Sequence, residues 1–361
     1  MANGEYDYSM KDLLAMMFQR KSTDLLLSVG KPPQIRVDKN LVSIDSKILD
    51  PKTSRSLCYQ VMNEQQQKVL EKEGEVDFAI GISQLSRFRV NVFMQRGAVS
   101  AAFRTIPYAI FSFDELSLPP VVDELSNKPN GLVLVTGPTG CGKSTTLASM
   151  LDKINRTRSC HIITIEDPIE YLHQHIKCTI DQREVQSDTK SFHTALRSIL
   201  RQNPDVVLLG EMRDAESIQA ALTIAETGHL CFATLHTNSC SQTLARIVDV
   251  FPGDKQQQVR SQLAMCLNGV LTQTLLPRIG GGLQLAVEIM TGTPAIKAMI
   301  RENKIHTIDN QIQLGSKFGM QTMNQSLVSL VKNGLVTEMD AMAISPDIED
   351  FRKNMLRTTM Q

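Results

Sequence analysis

The run Gly137-Pro138-Thr139-Gly140-Cys141-Gly142-Lys143-Ser144-Thr145 sets glycines around a short loop and closes it with a lysine and two hydroxyls. Glycine reaches backbone conformations closed to other residues, so such a loop can turn its N–H groups inward around an anion. The apolar run GLVLVT precedes it and the helical stretch STTLASMLDKIN follows. Strand, loop and helix in that order make a phosphate cradle, with the helix N-terminus adding partial positive charge. Lys143 is placed to neutralise the outer phosphates of a nucleoside triphosphate, and the Ser144 hydroxyl to ligate Mg²⁺. ATP and Mg²⁺ are therefore the expected ligands, and Cys141 is expected to be a passive member of a loop that works through its backbone.

Splitting a phosphoanhydride needs a group that orients water and groups that stabilise spreading charge. A parallel sheet gathers ligands at the carboxyl ends of its strands, so polar residues just after the apolar runs are the candidates. HIITIE ends in Glu166 and is followed by Asp167 and Pro168; VVLLG leads into Glu211; CFATLH ends in His236, with His229 just before the same run. Glu166, Glu211, His229 and His236 are the candidate catalytic residues, with Glu211 and Ser144 as candidate metal ligands. His161, His173, His175 and His193 read as structural or surface residues. Arg87, Arg89 and Arg104 lie in the amino-terminal part, and Arg197, Arg201 and Arg213 flank the VVLLG run.

The elements that must position these groups fall into two sets. Residues 1–112 predict a mixed α+β domain. It holds a helix over KDLLAMMFQRK, strands in DLLLSVGKPPQIRV and NLVSID, and one helix over SLCYQVMNEQQQKVLEK capped by Gly74. Strands follow in VDFAIGI and RFRVNVFMQRGAVSAAFRTI, the latter a hairpin turning at Gln95-Arg96-Gly97. Residues 113–130, with Pro119, Pro120 and Pro129, predict a linker and the start of the second domain. From Gly131 to Gln361, β-rich runs alternate with helices in a βαβ pattern, Asp214 and Gly228 bracket a helix, and a mainly helical tail follows LQLAVEIM.

With 361 residues, 42% hydrophobic and 21% charged, the chain has the composition of an ordinary globular protein. Basic and acidic residues balance at 38 each, so no long-range field gathers polyanions, and no nucleic-acid partner is expected. The start MANGEYDYSM lacks the basic and apolar character of a secretory signal, and no apolar run is long enough to span a membrane, which together predict a cytoplasmic protein. The seven scattered cysteines predict reduced thiols and no zinc site.

GPTGCGKSTT, ITIEDPIEYLH, LRQNPDVVLLGEMRD and TGHLCFATLHTN together resemble the Walker A, Asp box, Walker B and His box of the secretion ATPase superfamily. Over nearly its whole length, including IDQREVQSDTKSF, LLPR and GMQTMNQSL, the chain is similar to the retraction ATPases of type IV pili within that superfamily. The resemblance implies a PAS-like N-terminal domain, a RecA-like P-loop NTPase domain with C-terminal helices, and a homo-hexamer with ATP at subunit interfaces. It implies Glu166 as catalytic base, Glu211 supporting the metal and its waters, and His229 and His236 sensing nucleotide. Arg87 and Arg104 are implied to reach a nucleotide site. Implied partners are an inner-membrane pilus platform protein and a PilU-like paralogue, at the cytoplasmic face of the inner membrane. Thr293 to Asn303 is similar to a motif linked in that family to retraction, with Lys297, Ala298 and Met299 replacing Arg, Asn and Leu. Cys141 stands where serine is usual. Other functions to weigh are an accessory retraction ATPase, an extension or type II secretion ATPase, a nucleic-acid translocase, and a nucleotide-switched assembly factor without turnover.

Overall fold

Ser9 opens the first helix, α1 (Met10–Gln19), with a capping box: its hydroxyl accepts the Asp12 N–H while Asp12 accepts the Ser9 N–H. The computed structural model describes residues 8–20, 22–37, 40–44, 46–82, 85–106 and 109–357. Residues 1–7, most of the MANGEYDYSM segment, Lys21 at the end of KDLLAMMFQRK and Asp45 at the end of NLVSID lie outside them. The chain divides into two compact units, Met1–Ala109 with Glu170–Leu172, and Ile110–Ile169 with His173–Gln361.

In the first unit, β1 (Asp24–Leu27), β2 (Gln34–Val37), β3 (Asn40–Ser43), β4 (Glu75–Ile82), β5 (Ser86–Gln95) and β6 (Ala98–Ile106) form an antiparallel sheet in the order β3-β2-β1-β6-β5-β4. Arg96 and Gly97 both take positive φ at the β5–β6 turn, as a two-residue hairpin requires. Phe88, Val90, Val92, Ala101 and Phe103 alternate onto one face and bury in the same core as Leu13, Leu14 and Met17 of α1. Where one long helix was predicted there are two, α2 (Pro51–Tyr59) and α3 (Glu64–Glu73). Asn63 causes the break: its side chain caps α3 by bonding the Gln66 N–H, and an N-cap residue cannot itself be helical. Gly74 ends α3 in the left-handed conformation.

The second unit begins before the parallel sheet. Val121, Val122 and Leu125 of the short helix α4 (Val121–Ser126) bury in the same core as the sheet strands, so the Pro-containing segment folds as part of this unit. Its strands are β7 (Gly131–Thr136), β8 (His161–Glu166), β9 (Thr179–Glu184), β10 (Val206–Leu209), β11 (Leu230–Leu235), β12 (Leu267–Pro277) and β13 (Leu283–Thr291), in the order β13-β12-β7-β11-β10-β8-β9. Neighbours are parallel except the β12–β13 hairpin. The strands β7, β10 and β11 are apolar and buried throughout, apart from the terminal or near-terminal threonines, as expected of a sheet covered on both faces.

Crossovers run through α5 (Lys143–Thr157), α6 (Phe192–Ile199), α7 (Ala215–Glu226), α8 (Cys240–Asp249) and α9 (Gly253–Cys266). Asp214 caps α7, and Gly228 follows it with φ near +99°. The helix α9 passes into β12 with no residue between, Cys266 ending one and Leu267 starting the other. After β13 come α10 (Pro294–Arg301), α11 (Ile308–Leu314), α12 (Met323–Lys332), α13 (Glu338–Ile344) and α14 (Ile348–Arg357). Among the described residues no helix is long and apolar enough to cross a membrane.

Candidate functional site

The loop between β7 and α5 folds back tightly on its own lysine. Gly137, Gly140 and Gly142 all take positive φ, and at Gly137 a Cβ would lie 2.3 Å from the Gln273 carbonyl oxygen and 2.7 Å from Cys141 Sγ. Only glycine fits that point. Cys141 is buried beneath the loop, while Pro138, Thr139 and Gly140 are exposed above it. Lys143 opens α5 and is itself buried; its Nζ donates to the carbonyls of Gly137 at 2.8 Å and Pro138 at 3.1 Å. Burial pushes the ammonium below its ordinary pKa, with Cys141 and Glu211 opposing. Ser144 is exposed and Thr145 half-buried in the first turn, at the positive end of the helix.

Parallel register brings the other motif ends alongside. Thr136 pairs with Leu235, so His236 emerges next to the loop; Leu209 pairs with Ala233 and with Ile165, so Glu211 and Glu166 emerge on the next strands. Along β7, β11, β10 and β8 the carboxyl edge therefore presents the loop, His236, Glu211 and Glu166 in turn. Gly210 permits the last approach: a Cβ there would stand 3.1 Å from Ile165 O and 3.3 Å from Glu166 Cα.

His236 joins its two neighbours. Its Nδ1 lies 3.4 Å from Lys143 Nζ and its Nε2 lies 3.3 Å from Glu211 Oε1. An ammonium can only donate, so Nδ1 accepts and Nε2 carries the proton directed at Glu211. Arg213 donates to the other Glu211 oxygen at 2.8 Å, and this bond, against opposing burial, holds the Glu211 carboxyl below its ordinary range. Behind the edge, Thr237 bonds Thr243 at 2.7 Å, Thr243 approaches Thr136 at 3.4 Å, and Thr136 bonds Thr272 at 2.9 Å. These hydroxyls, buried except at half-buried Thr237, fasten the segment after His236 to the strand that carries the loop.

Glu166 is buried at the tip of β8. Its Oε1 accepts from the Thr164 hydroxyl at 2.6 Å and from Gln182 Nε2 at 3.2 Å. Sequence reading missed both donors. The Thr164 signal was present, since residues two apart on a strand share a face; Gln182 depends on the β8–β9 register. Gln273 was missed as well: its carbonyl covers Gly137 and its amide donates to Thr146 Oγ1 of α5 at 2.7 Å.

Other candidates stand apart. His229 precedes β11, at the amino end of the 6-residue strand whose other end leads to His236. At roughly 3.3 Å per residue, about 20 Å of strand separates the two. Its Nδ1 lies 3.1 Å from both Thr227 Oγ1 and Ile224 O, at the end of α7. Arg87 and Arg104 belong to the first unit, on β5 and β6, where Arg104 donates to Asp24 at 2.9 Å.

The chain matches the Type II/IV secretion system protein family over residues 33–338. The type IV pilus retraction ATPase PilT of Pseudomonas aeruginosa is 48% identical over 340 residues, covering 94% of this chain and 99% of its own. The type IV pilus ATPase PilU of the same organism is 40% identical over 341 residues, covering 94% of this chain and 89% of its own. A crystal structure of the pilus retraction motor PilT with bound ADP has a TM-score of 0.91 at 47% identity, covering 96% of this chain and 100% of that one. A phosphate loop and three motif ends aligned on one sheet edge, within a match that runs from the first unit into the C-terminal helices, lead to one assignment: the chain belongs to the Type II/IV secretion system protein family.

Proposed function

We propose that this chain is the subunit of a hexameric motor that hydrolyses ATP to ADP and phosphate and thereby drives retraction of type IV pili. The observation that carries this reading is the contiguous set Lys143–His236–Glu211 at the carboxyl edge, with Glu166 on the next strand, in a chain 48% identical to a retraction ATPase over almost its full length. Identity to the PilU relative is lower, at 40%, which favours the principal motor over the accessory one.

In this reading the backbone of Gly137 to Thr145 cradles the phosphates, and Lys143 exchanges its two loop carbonyls for phosphate oxygens. A hydroxyl at Ser144 and a carboxylate at Glu211 are oxygen donors of the kind Mg²⁺ takes, Glu211 exchanging its bonds to Arg213 and His236 to bind it. Bound with the nucleotide, Mg²⁺ would supply neutralisation of phosphate charge. Glu166 orients and deprotonates the attacking water. His236 reports the state of the pocket to Glu211, while His229, Arg87 and Arg104 serve nucleotide held by a neighbouring subunit. The ring works at the cytoplasmic face of the inner membrane at the pilus base, engaging an inner-membrane platform protein and a PilU-like paralogue.

Replacing the native protein with the Lys143→Ala or Glu166→Gln variant and counting surface pili tests the direction of the motor. Abundant pili on non-motile cells are the expected result. Cells without pili would place the chain among extension motors instead.

A further inference from the structure

We infer that Thr164 and Gln182 are positioning residues for the hydrolytic step, together fixing the Glu166 carboxylate in the orientation from which it acts on water. The inference rests on the reading of Glu166 as the base.

Thr164 and Glu166 lie on one face of β8, two residues apart. Thr164 is fully buried, and its hydroxyl donates to Glu166 Oε1 at 2.6 Å. Across the β8–β9 pair, where Thr164 and Gln182 are register partners, Gln182 Nε2 donates to the same oxygen at 3.2 Å. The Gln182 amide is itself oriented, because its Oε1 accepts the His173 N–H at 2.8 Å and leaves only the NH₂ end to face Glu166. Two neutral donors meeting on one carboxylate oxygen fix its rotamer. Thr234, a buried threonine on β11 of the same sheet, by contrast sends its hydroxyl to a backbone carbonyl, that of Gly210.

Thr164→Val keeps the buried shape and loses the donor, whereas Thr164→Ser keeps the donor and loses a buried methyl. Stability and positioning are thereby separated, since packing alone ranks valine above serine. Steady-state hydrolysis and equilibrium ATP binding are measured on the assembled full-length protein, with Gln182→Met and Glu166→Gln alongside. Expected for Thr164→Val is a fall in kcat of about tenfold or more with KM for ATP nearly unchanged, a smaller fall in the same sense for Gln182→Met, and near-native kcat for Thr164→Ser. A Thr164→Val enzyme with native kcat, or a Thr164→Ser enzyme as slow as Thr164→Val, overturns the inference while an inactive Glu166→Gln leaves the base reading standing. Native turnover by Glu166→Gln overturns both.

Discussion

Lys143 and His236 meet ammonium to imidazole, Nζ to Nδ1 at 3.4 Å, although one opens the helix after β7 and the other follows β11. Because the ammonium occupies Nδ1 as donor, the imidazole Nε2–H donates to Glu211 and fixes that carboxylate relative to the phosphate loop. His236→Ala removes the link without touching the cradle. Its kcat is expected to drop by about 10–100-fold, the range for loss of a group that orients a metal-site carboxylate from behind, while ATP affinity changes little. Phosphate release measured beside nucleotide titration checks this, and an unaltered kcat would dismiss the link.

Gly137 offers a sharper steric test. Its φ is near +131°, and an added Cβ would strike the Gln273 carbonyl, which is backbone and cannot swing aside. Gly137→Ala should cost about 2–4 kcal/mol, combining clash with left-handed strain, and should abolish nucleotide binding. Gly140→Ala is the control: φ is +81° but nothing lies within 4 Å of its Cβ, leaving only the conformational cost of about 1–2 kcal/mol. Thermal melts and ATP titration of the pair should rank them in that order.

Glu288 on β13 is a buried carboxyl bonded at 2.7 Å by the Cys240 N–H at the start of α8. Burial, the largest influence, raises its pKa above the ordinary 4.5, with Asp309 adding to the shift. The folded state thus holds this proton at higher pH than the unfolded chain does. The cost of the buried charge is fully present above the raised pKa and fades as pH falls through it towards 4.5. Glu288→Gln keeps an acceptor and removes the charge, so it should raise Tm at pH 8 by on the order of 2–4 °C and lose that advantage in acid. Melting curves from pH 4 to 8 read the effect directly; an advantage that grows on acidification would contradict it.

Arg104 is exposed yet anchored, with its guanidinium on one Asp24 oxygen at 2.9 Å and Arg36 on the other at 3.2 Å. If it serves a neighbour's nucleotide, Arg104→Ala subunits should bind ATP normally and turn it over slowly. Mixing them with Lys143→Ala subunits should then recover activity that neither shows alone, because each supplies what the other lacks across a head-to-tail interface. Mixtures no more active than their components would assign Arg104 to its own unit.

Much of this could be read from residue order. The glycine pattern, the strand before it and the helix after it located the cradle, and the apolar runs of β8, β10 and β11 announced the other motif ends. Less visible was β9, whose TIDQRE reads as polar loop because only alternate residues are covered. β12 was hidden for another reason. It follows α9 without a turn residue, so nothing in RSQLAMCLNGVLTQ marks where helix yields to strand. Gln182 and Gln273 act only through strands adjacent in the sheet, a relationship that local pattern does not encode. Asn63 was legible in principle, as an N-cap followed three residues later by glutamine.

The junction at Cys266 and Leu267 has a mechanical consequence. With no loop residue between helix and strand, a tilt of α9 reaches β12 at its first residue, Leu267, where the pairing with β7 shifts register before Gly269. That strand carries the carbonyl resting on Gly137, and α9 in turn is tied by its Met265 carbonyl to Lys297 of α10. Movement of the distal helices is thus passed to the phosphate loop through α9 and β12, with no loop between those two.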